Sequence, residues 1–330
     1  MQRVLAAAVM AALVFGGWHF FQKYQFKGLD NVRIEPRAGA GSAGSASEAG
    51  HAVADYGGTI KIASFNIQIL GRSKIAQRRV MDVLSDVIRR FDVIAIQEVR
   101  ANTDDILPRF IETINSGGRK YDYLIGPRLG RSSSKEQYAF VYDTATIEVD
   151  RTAMYTVEDR ADLLHREPLV GSFRVRGPPA SEAFTFTLVN VHTDPDEVPQ
   201  EVAALAQVYT AVRNDGRGED DVILVGDLNA DEQNFGPLGQ LPNITWAISG
   251  VPTNTRGNRT YDNLLFHRAA TSEFTGLTGV VDLMRDYQLT LDAALEVSDH
   301  LPVWAQFSVL EGGQVGRVAE RVGTRASGVR

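Results

Sequence analysis

Oxygen- and imidazole-bearing side chains recur where apolar runs of this chain stop. Asn66 closes the run Ile60 to Phe65, and Gln97 and Glu98 follow Phe91 to Ile96. His192 ends Phe184 to Val191, Asp227 and Asn229 follow Val222 to Val225, and Asp299 and His300 open Leu301 to Phe307. Carboxylates and amides in a chain without cysteine suit a hard cation, Mg²⁺ first, with Mn²⁺ or Ca²⁺ as substitutes. Histidine is the side chain best matched to proton transfer near neutral pH, and two of them supply an acid and a base. A cation to neutralise phosphorus oxygens, a base for water and an acid for the leaving oxygen are what phosphoester hydrolysis needs. Taken singly, each residue has an ordinary structural reading. An Asp or Asn after a strand closes a turn, and a strand-end His is more often a hydrogen-bonded structural group. The repetition gives the chemical reading its weight.

Strands must deliver these groups. In the stretch DVILVGDLNAD, β-branched residues give way abruptly to polar ones after Gly226, so the strand ends where the chemistry begins. On an extended chain Asp227 and Asn229 share a face while Leu228 turns away. Between strands, helical spacing places Ala76, Val80, Val83, Leu84, Val87 and Ile88 on one face, with Ser73 as the expected cap. A second amphipathic helix carries Ile106, Phe110, Ile111 and Ile114, and a third Val202, Leu205, Tyr209 and Val212. Tyr121 to Asp143 reads as two strands joined by a loop in which Arg128, Arg131 and Lys135 form a basic patch beside the lone acid Glu136. Tyr261, Asp262 and Asn263 precede the apolar Leu264 to Phe266.

The chain has 330 residues, 44% of them hydrophobic, enough for one large catalytic domain with appendages. Its 34 basic against 41 acidic residues give a formal charge of -7, so a polyanion must be held locally and not by a global field. Without cysteine, disulfides, thiolate zinc sites and cysteine nucleophiles are excluded. Residues 1–22 contain the apolar stretch Val4 to Phe21 and are expected to be an uncleaved membrane anchor or a signal segment. Basic residues after it outnumber Arg3 before it, so local charge does not orient it. Residues 23–58 turn to Gly, Ala and Ser and read as a flexible tether, 59–310 as the catalytic domain, and 311–330 as a disordered tail.

The motifs IKIASFNIQ, DVIAIQEVR, LGRSSSKEQYAFVY, LLHREPLVGSF, LVNVHTDPDEV, VILVGDLNAD, YDNLLF and VSDHLPVWAQF stand in the order of a known family. Over about Thr59 to Val309 the chain resembles the endonuclease/exonuclease/phosphatase superfamily, and within it the pancreatic-type deoxyribonucleases. The resemblance implies an α/β (α+β) fold, a four-layer αββα sandwich of two packed, mainly antiparallel β-sheets flanked by helices. It implies that Asn66, Glu98 and Asp299 hold the divalent metal, with Asp227 and Asn229 completing the phosphate and water environment. It pairs His192 with Glu136 and His300 with Asp262, one imidazole protonating the leaving 3′ oxygen and the other activating water. Arg100 and Arg166 would contact DNA phosphates. The chain departs from the family at Gln68, where members carry Arg, and at Ser134, where they carry a Tyr that packs on the sugar. Arg259 replaces a disulfide cysteine, and the loop Pro252 to Arg259 matches poorly, so the resemblance does not extend to structural calcium binding there.

The expected function is a monomeric, metal-dependent endonuclease acting on DNA with little sequence specificity, its catalytic domain outside the cytoplasm, either membrane-anchored or, if the N-terminal segment is cleaved, secreted or periplasmic. Within the superfamily the rival is a phosphodiesterase or phosphatase for a lipid headgroup or small phosphate ester, favoured by the anchor and the two lost DNA contacts. From another class, an inactive surface binding module is opposed by the retention of both imidazole–carboxylate pairs.

Overall fold

A computed structural model describes residues 58–131 and 135–312. The anchor segment, most of the tether, Ser134 and the tail from 313 onward lie outside the described residues. Among those described, no helix is long and apolar enough to cross a membrane.

Twelve strands form two six-stranded sheets. The first contains β1 (Thr59–Leu70), β2 (Val93–Val99), β3 (Tyr121–Ile125), β4 (Gln137–Asp143), β11 (Phe274–Val280) and β12 (Val303–Ser308), in the order β11-β12-β1-β2-β4-β3. The second contains β5 (Ile147–Thr156), β6 (Leu169–Val175), β7 (Thr185–His192), β8 (Val222–Asp227), β9 (Ile244–Trp246) and β10 (Asp262–His267), in the order β5-β6-β7-β8-β10-β9. Each sheet has one parallel pair at its centre, β1 with β2 and β7 with β8, and is otherwise antiparallel.

Alternation along the strands dictates the layers. Ile60, Ile62, Val93, Ala95 and Phe140 of the first sheet meet Phe173, Phe186, Leu188, Ile223, Val225 and Leu264 of the second in one buried core between the sheets. The intervening Ala63, Phe65, Ile94 and Ile96 face outward, onto the helices α2 (Arg78–Ile88), α3 (Ile106–Asn115) and α7 (Leu291–Val297). On the far side, Val189, Val191, Val222 and Leu224 pack against α4 (Val198–Arg213) and the short α5 (Gly236–Gly239). Helix, sheet, sheet and helix are thus stacked as expected.

The structure corrects the first helix. The periodic run divides into a one-turn α1 (Arg72–Ile75) and α2, and Gln77, not Ser73, stands at the N-cap of α2. Ser73 lies inside α1, where its hydroxyl meets no orphan amide of the longer helix. The short α6 (Leu283–Tyr287) and α7 complete the set, and the domain runs to Gly312, since the Glu311 amide donates to Glu182 O at 2.9 Å.

Candidate active site

Strand register brings the chemistry together. His192 on β7, Asp227 on β8 and Asp262 on β10 are direct cross-strand neighbours. Gly226 makes this possible: its φ is +153°, and a Cβ there would lie 2.0 Å from Val191 O on the adjoining strand. Only glycine lets the backbones meet so closely. From the opposing sheet, Asn66 extends its amide nitrogen to Asp227 Oδ2 at 3.0 Å and to Glu98 Oε1 at 3.3 Å.

Two imidazoles flank Asp227. His192 Nδ1 is 2.8 Å from Glu136 Oε1, and its Nε2 is 3.5 Å from Asp227 Oδ2. His300 Nδ1 is 2.9 Å from Asp262 Oδ2, and its Nε2 is 3.4 Å from the same Asp227 oxygen. A carboxylate at Nδ1 orients the ring and leaves Nε2 aimed at the cleft. Burial works against charge on His300, but Asp262 and Asp227 outweigh it and raise its pKa to about 10. His192 is raised in the same way by Glu136 and Asp227 against its own burial. Burial would push the Glu136 carboxyl up; His192, Arg166 and Arg100 together hold it below its ordinary value.

These groups line an open cleft of about 350 Å³ that includes Asn66, Glu98, Arg100, Arg166, His192, Asp227, Asn229 and His300. A larger cleft of about 680 Å³, lined by Arg259 and Tyr261 among others, adjoins it through Asn229. The smaller one offers the imidazoles and acids. Its backbone is strained where the functional groups sit: Glu98 (φ 62°) and Asn229 (φ 46°) are both left-handed, a conformation that non-glycine residues adopt at a cost.

Residues 63–300 match the model of the "Endonuclease/Exonuclease/phosphatase family". The chain belongs to that family. Deoxyribonuclease gamma of Rattus norvegicus is 32% identical over 263 residues, 74% of this chain and 83% of the relative. Deoxyribonuclease-1-like 1 of Sus scrofa is 34% identical over 260 residues, 75% and 81% of the two chains. Among solved structures, the catalytic domain of human Nocturnin with bound sulfate (15% identity, TM-score 0.52, 76% of this chain and 94% of that one) shares the fold. So does humanized D. rerio TDP2 (14% identity, TM-score 0.53, 76% and 98%). This member of the endonuclease/exonuclease/phosphatase family lies in the deoxyribonuclease-like branch.

Not every expected group has its expected surroundings in this family member. Arg166 is buried: Nε is 3.1 Å from Glu136 and also donates to His192 O. It holds the carboxylate that orients His192 more directly than it offers itself to solvent. Arg100 also reaches Glu136, at 3.3 Å, and Glu98, at 3.3 Å, and is the more exposed of the pair. Asn229 does not share a strand face with Asp227, because the strand ends at Asp227 and Asn229 turns left-handed. Its amide donates to Asp227 Oδ1 at 2.9 Å, so the Asx turn and the site are one feature. Asp299 stands at the margin, partly buried, its charge felt by Lys74 and His300. The basic patch is largely compensated: Arg128 pairs with Asp104, and Arg131 with Asp162 and Glu197. Acids distant in sequence neutralise it, which a local charge count does not register.

Several supporting residues escaped the sequence reading. Lys74 is buried and donates to Ile67 O, Gln68 O and Val297 O at 2.6, 2.5 and 2.8 Å, and burial lowers its pKa to about 8. Beneath the catalytic row lies a polar bridge between the sheets, with Gln97 donating to Asn190 at 2.7 Å and Asn190 to Ile96 O and Ala139 O at 3.1 Å each. The one available signal was position: Gln97 precedes Glu98, and Asn190 lies two residues before His192.

The donor set fits a hard dication. Glu98 and Asp227 present oxygens, both near the Asn66 amide, and no thiolate competes. Asn66 shows its side-chain N–H to both acids while its oxygen accepts from the Gln68 backbone amide at 2.9 Å, so it binds the acids together and leaves the carboxylates as the groups that could hold a cation.

Proposed function

We propose that this chain is a divalent-metal-dependent, monomeric endonuclease that hydrolyses DNA phosphodiesters with little sequence preference. One observation carries the reading: two imidazoles, each backed by a carboxylate, aim Nε2 at a single oxygen of Asp227 beside Glu98. A phosphoryl group bound there has a proton donor on one side and a base on the other. The relatives named deoxyribonucleases supply the substrate class.

Glu98 and Asp227, with Asn66 and Asp299 around them, would hold Mg²⁺, with Mn²⁺ or Ca²⁺ as its substitutes in the assay. The ion supplies neutralisation of charge on the non-bridging oxygens. The protein groups do the rest. One imidazole delivers a proton to the departing 3′ oxygen and the other removes one from water, while Glu136 and Asp262 stabilise the protonated rings. Asn229 and Asp227 border the cleft where the attacking water and the phosphate meet, and Arg100 is the better placed of the two arginines to touch phosphate.

Supercoiled plasmid incubated with the protein in Mg²⁺ should open to nicked circles, and chelator should abolish this. Rapid hydrolysis of a lipid phosphodiester beside an intact plasmid would instead select the lipid reading, which the compensated arginines of the β3–β4 loop make more competitive. For the N-terminal segment we propose a tether that places the catalytic domain outside the cytoplasm, because a nuclease of broad specificity would otherwise face its own genome. A reporter fused after Phe307 that is active only in the cytoplasm would overturn this.

A further inference from the structure

A second group of acids gathers at the other end of β8. Asp221 immediately precedes that strand, six residues from Asp227, or about 20 Å at the rise of an extended chain. Glu273 precedes β11 and Glu311 follows β12, so the three arrive from separate parts of the chain and from both sheets. Their ligand atoms nevertheless lie within 4.8 Å of one another.

Like charges converge in a folded protein only when something compensates them. Among the described residues no Lys, Arg or His forms an ion pair with Asp221, Glu273 or Glu311. Glu219 and Asp220 add further negative charge at the same edge. Asp221 and Glu273 are each 1% exposed, and Asp221 Oδ1 and Glu273 Oε2 are buried without a hydrogen-bond partner. Their remaining capacity is otherwise occupied: Gly312 N donates to Glu273 Oε1 at 2.5 Å, and Thr185 N to Glu311 Oε2 at 3.1 Å. A buried carboxylate oxygen that accepts nothing is costly, and two of the three acids gathered here each carry one.

We infer that Asp221, Glu273 and Glu311 form a structural site for a hard divalent cation, Ca²⁺ by preference, separate from the catalytic cleft. Ca²⁺ takes oxygen ligands in flexible numbers, two buried carboxylates and one exposed one provide the charge, and solvent on the Glu311 side completes the shell. The neutral Thr271 hydroxyl adjoins Asp221. Bound there, the ion clamps the start of β8 in one sheet to the start of β11 and the end of β12 in the other. In its absence, burial and mutual repulsion push Asp221 up to about 8 and Glu273 up to about 6, as expected of acids that lack a counter-charge.

The test is thermal melting of the full-length chain, stripped with chelator and then given excess CaCl₂. Ca²⁺ should raise the melting temperature by about 5 °C, the shift expected of a ligand well above its Kd in a domain of this size. Glu98→Gln removes a ligand from the catalytic cleft and should keep the shift. Glu311→Gln, which alters an exposed side chain and leaves the buried pair intact, should weaken Ca²⁺ affinity at least about tenfold by titration calorimetry. Glu273→Gln should reduce the shift to what the catalytic cleft alone gives. An unchanged Ca²⁺ response in both Glu311→Gln and Glu273→Gln would overturn the site. So would the absence of any response in Glu98→Gln, because all the calcium would then bind in the catalytic cleft. No Ca²⁺ effect on the wild type, with Glu273→Gln melting higher in chelator, would show that the acids share protons and hold no ion.

Discussion

At the scale of single residues, Asp227 is the pivot, since both imidazoles address one of its oxygens and Asn66 donates to the same atom. If His192 and His300 merely bonded to strand ends, replacing either by Ala would remove a net hydrogen bond, about 1 kcal/mol, and leave turnover nearly intact. As acid and base, each should cost on the order of a hundredfold or more in nicking rate while the melting temperature moves little. Plasmid nicking by the folded His300→Ala protein at near wild-type rate would remove the mechanism. Arg166 gives a sharper case. Because its guanidinium holds Glu136 and the His192 carbonyl, Arg166→Lys should lower kcat about tenfold or more while KM for plasmid stays nearly constant. The opposite split, a raised KM with kcat unchanged, would return Arg166 to the role of a phosphate contact.

At the scale of elements, the breaks from apolar to polar were legible, and His192 and Asp227 do end their strands, but β1 continues past Asn66 to Leu70 and β2 past Glu98 to Val99. The elements that hold the boundaries in place were not legible. α1 is a single turn without a hydrophobic period, yet it delivers Lys74 to three carbonyls, two near the end of β1 at Ile67 and Gln68 and one at the end of α7. Gln68 (φ 45°) and Ile69 (φ 58°) are left-handed where the register of β1 shifts between Asn66 and Leu70, and the Ile69 backbone amide donates to Glu98 Oε2 at 3.0 Å. Nothing local in the sequence announces such a contact, since Val297 is more than two hundred positions from Lys74. Lys74→Met should leave those carbonyls unsatisfied, at about 2 kcal/mol of stability. As Glu98 loses its anchor, the half-saturating Mg²⁺ concentration for nicking should also rise about tenfold. A loss of stability with an unchanged metal titration would confine Lys74 to a structural role.

For the whole molecule, the notable quantity is charge that is balanced at one end and unbalanced at the other. The acids of the cleft have imidazoles and arginines beside them, whereas among the described residues Asp221 and Glu273 pair with none. In chelator, the folded chain keeps protons on Asp221 up to about pH 8 and on Glu273 up to about pH 6, while the unfolded chain has released them near pH 4. The folded state therefore binds more protons in that interval, and stability falls as pH rises from about 4 to about 8. Melting temperatures measured in chelator across that range should decline, and Glu273→Gln should flatten the decline. A curve that rises with pH in the wild type and is unaltered in the variant would contradict this.

The path of the chain through the sheets has a consequence in time. The middle of the chain, β5 to β10, makes the second sheet by itself, but the first sheet is closed only when β12 inserts between β11 and β1. His300 stands at the threshold of that final strand, and the Ser298 hydroxyl donates to Asn66 O at 2.7 Å. A chain still emerging from the ribosome, or one cut short before Ser298, therefore has His192 and Asp227 but lacks one proton-transfer pair and the partner of its first strand. On the proposed mechanism the site is complete only with β12, the last strand among the described residues, so until then the polypeptide is harmless to the nucleic acid around it.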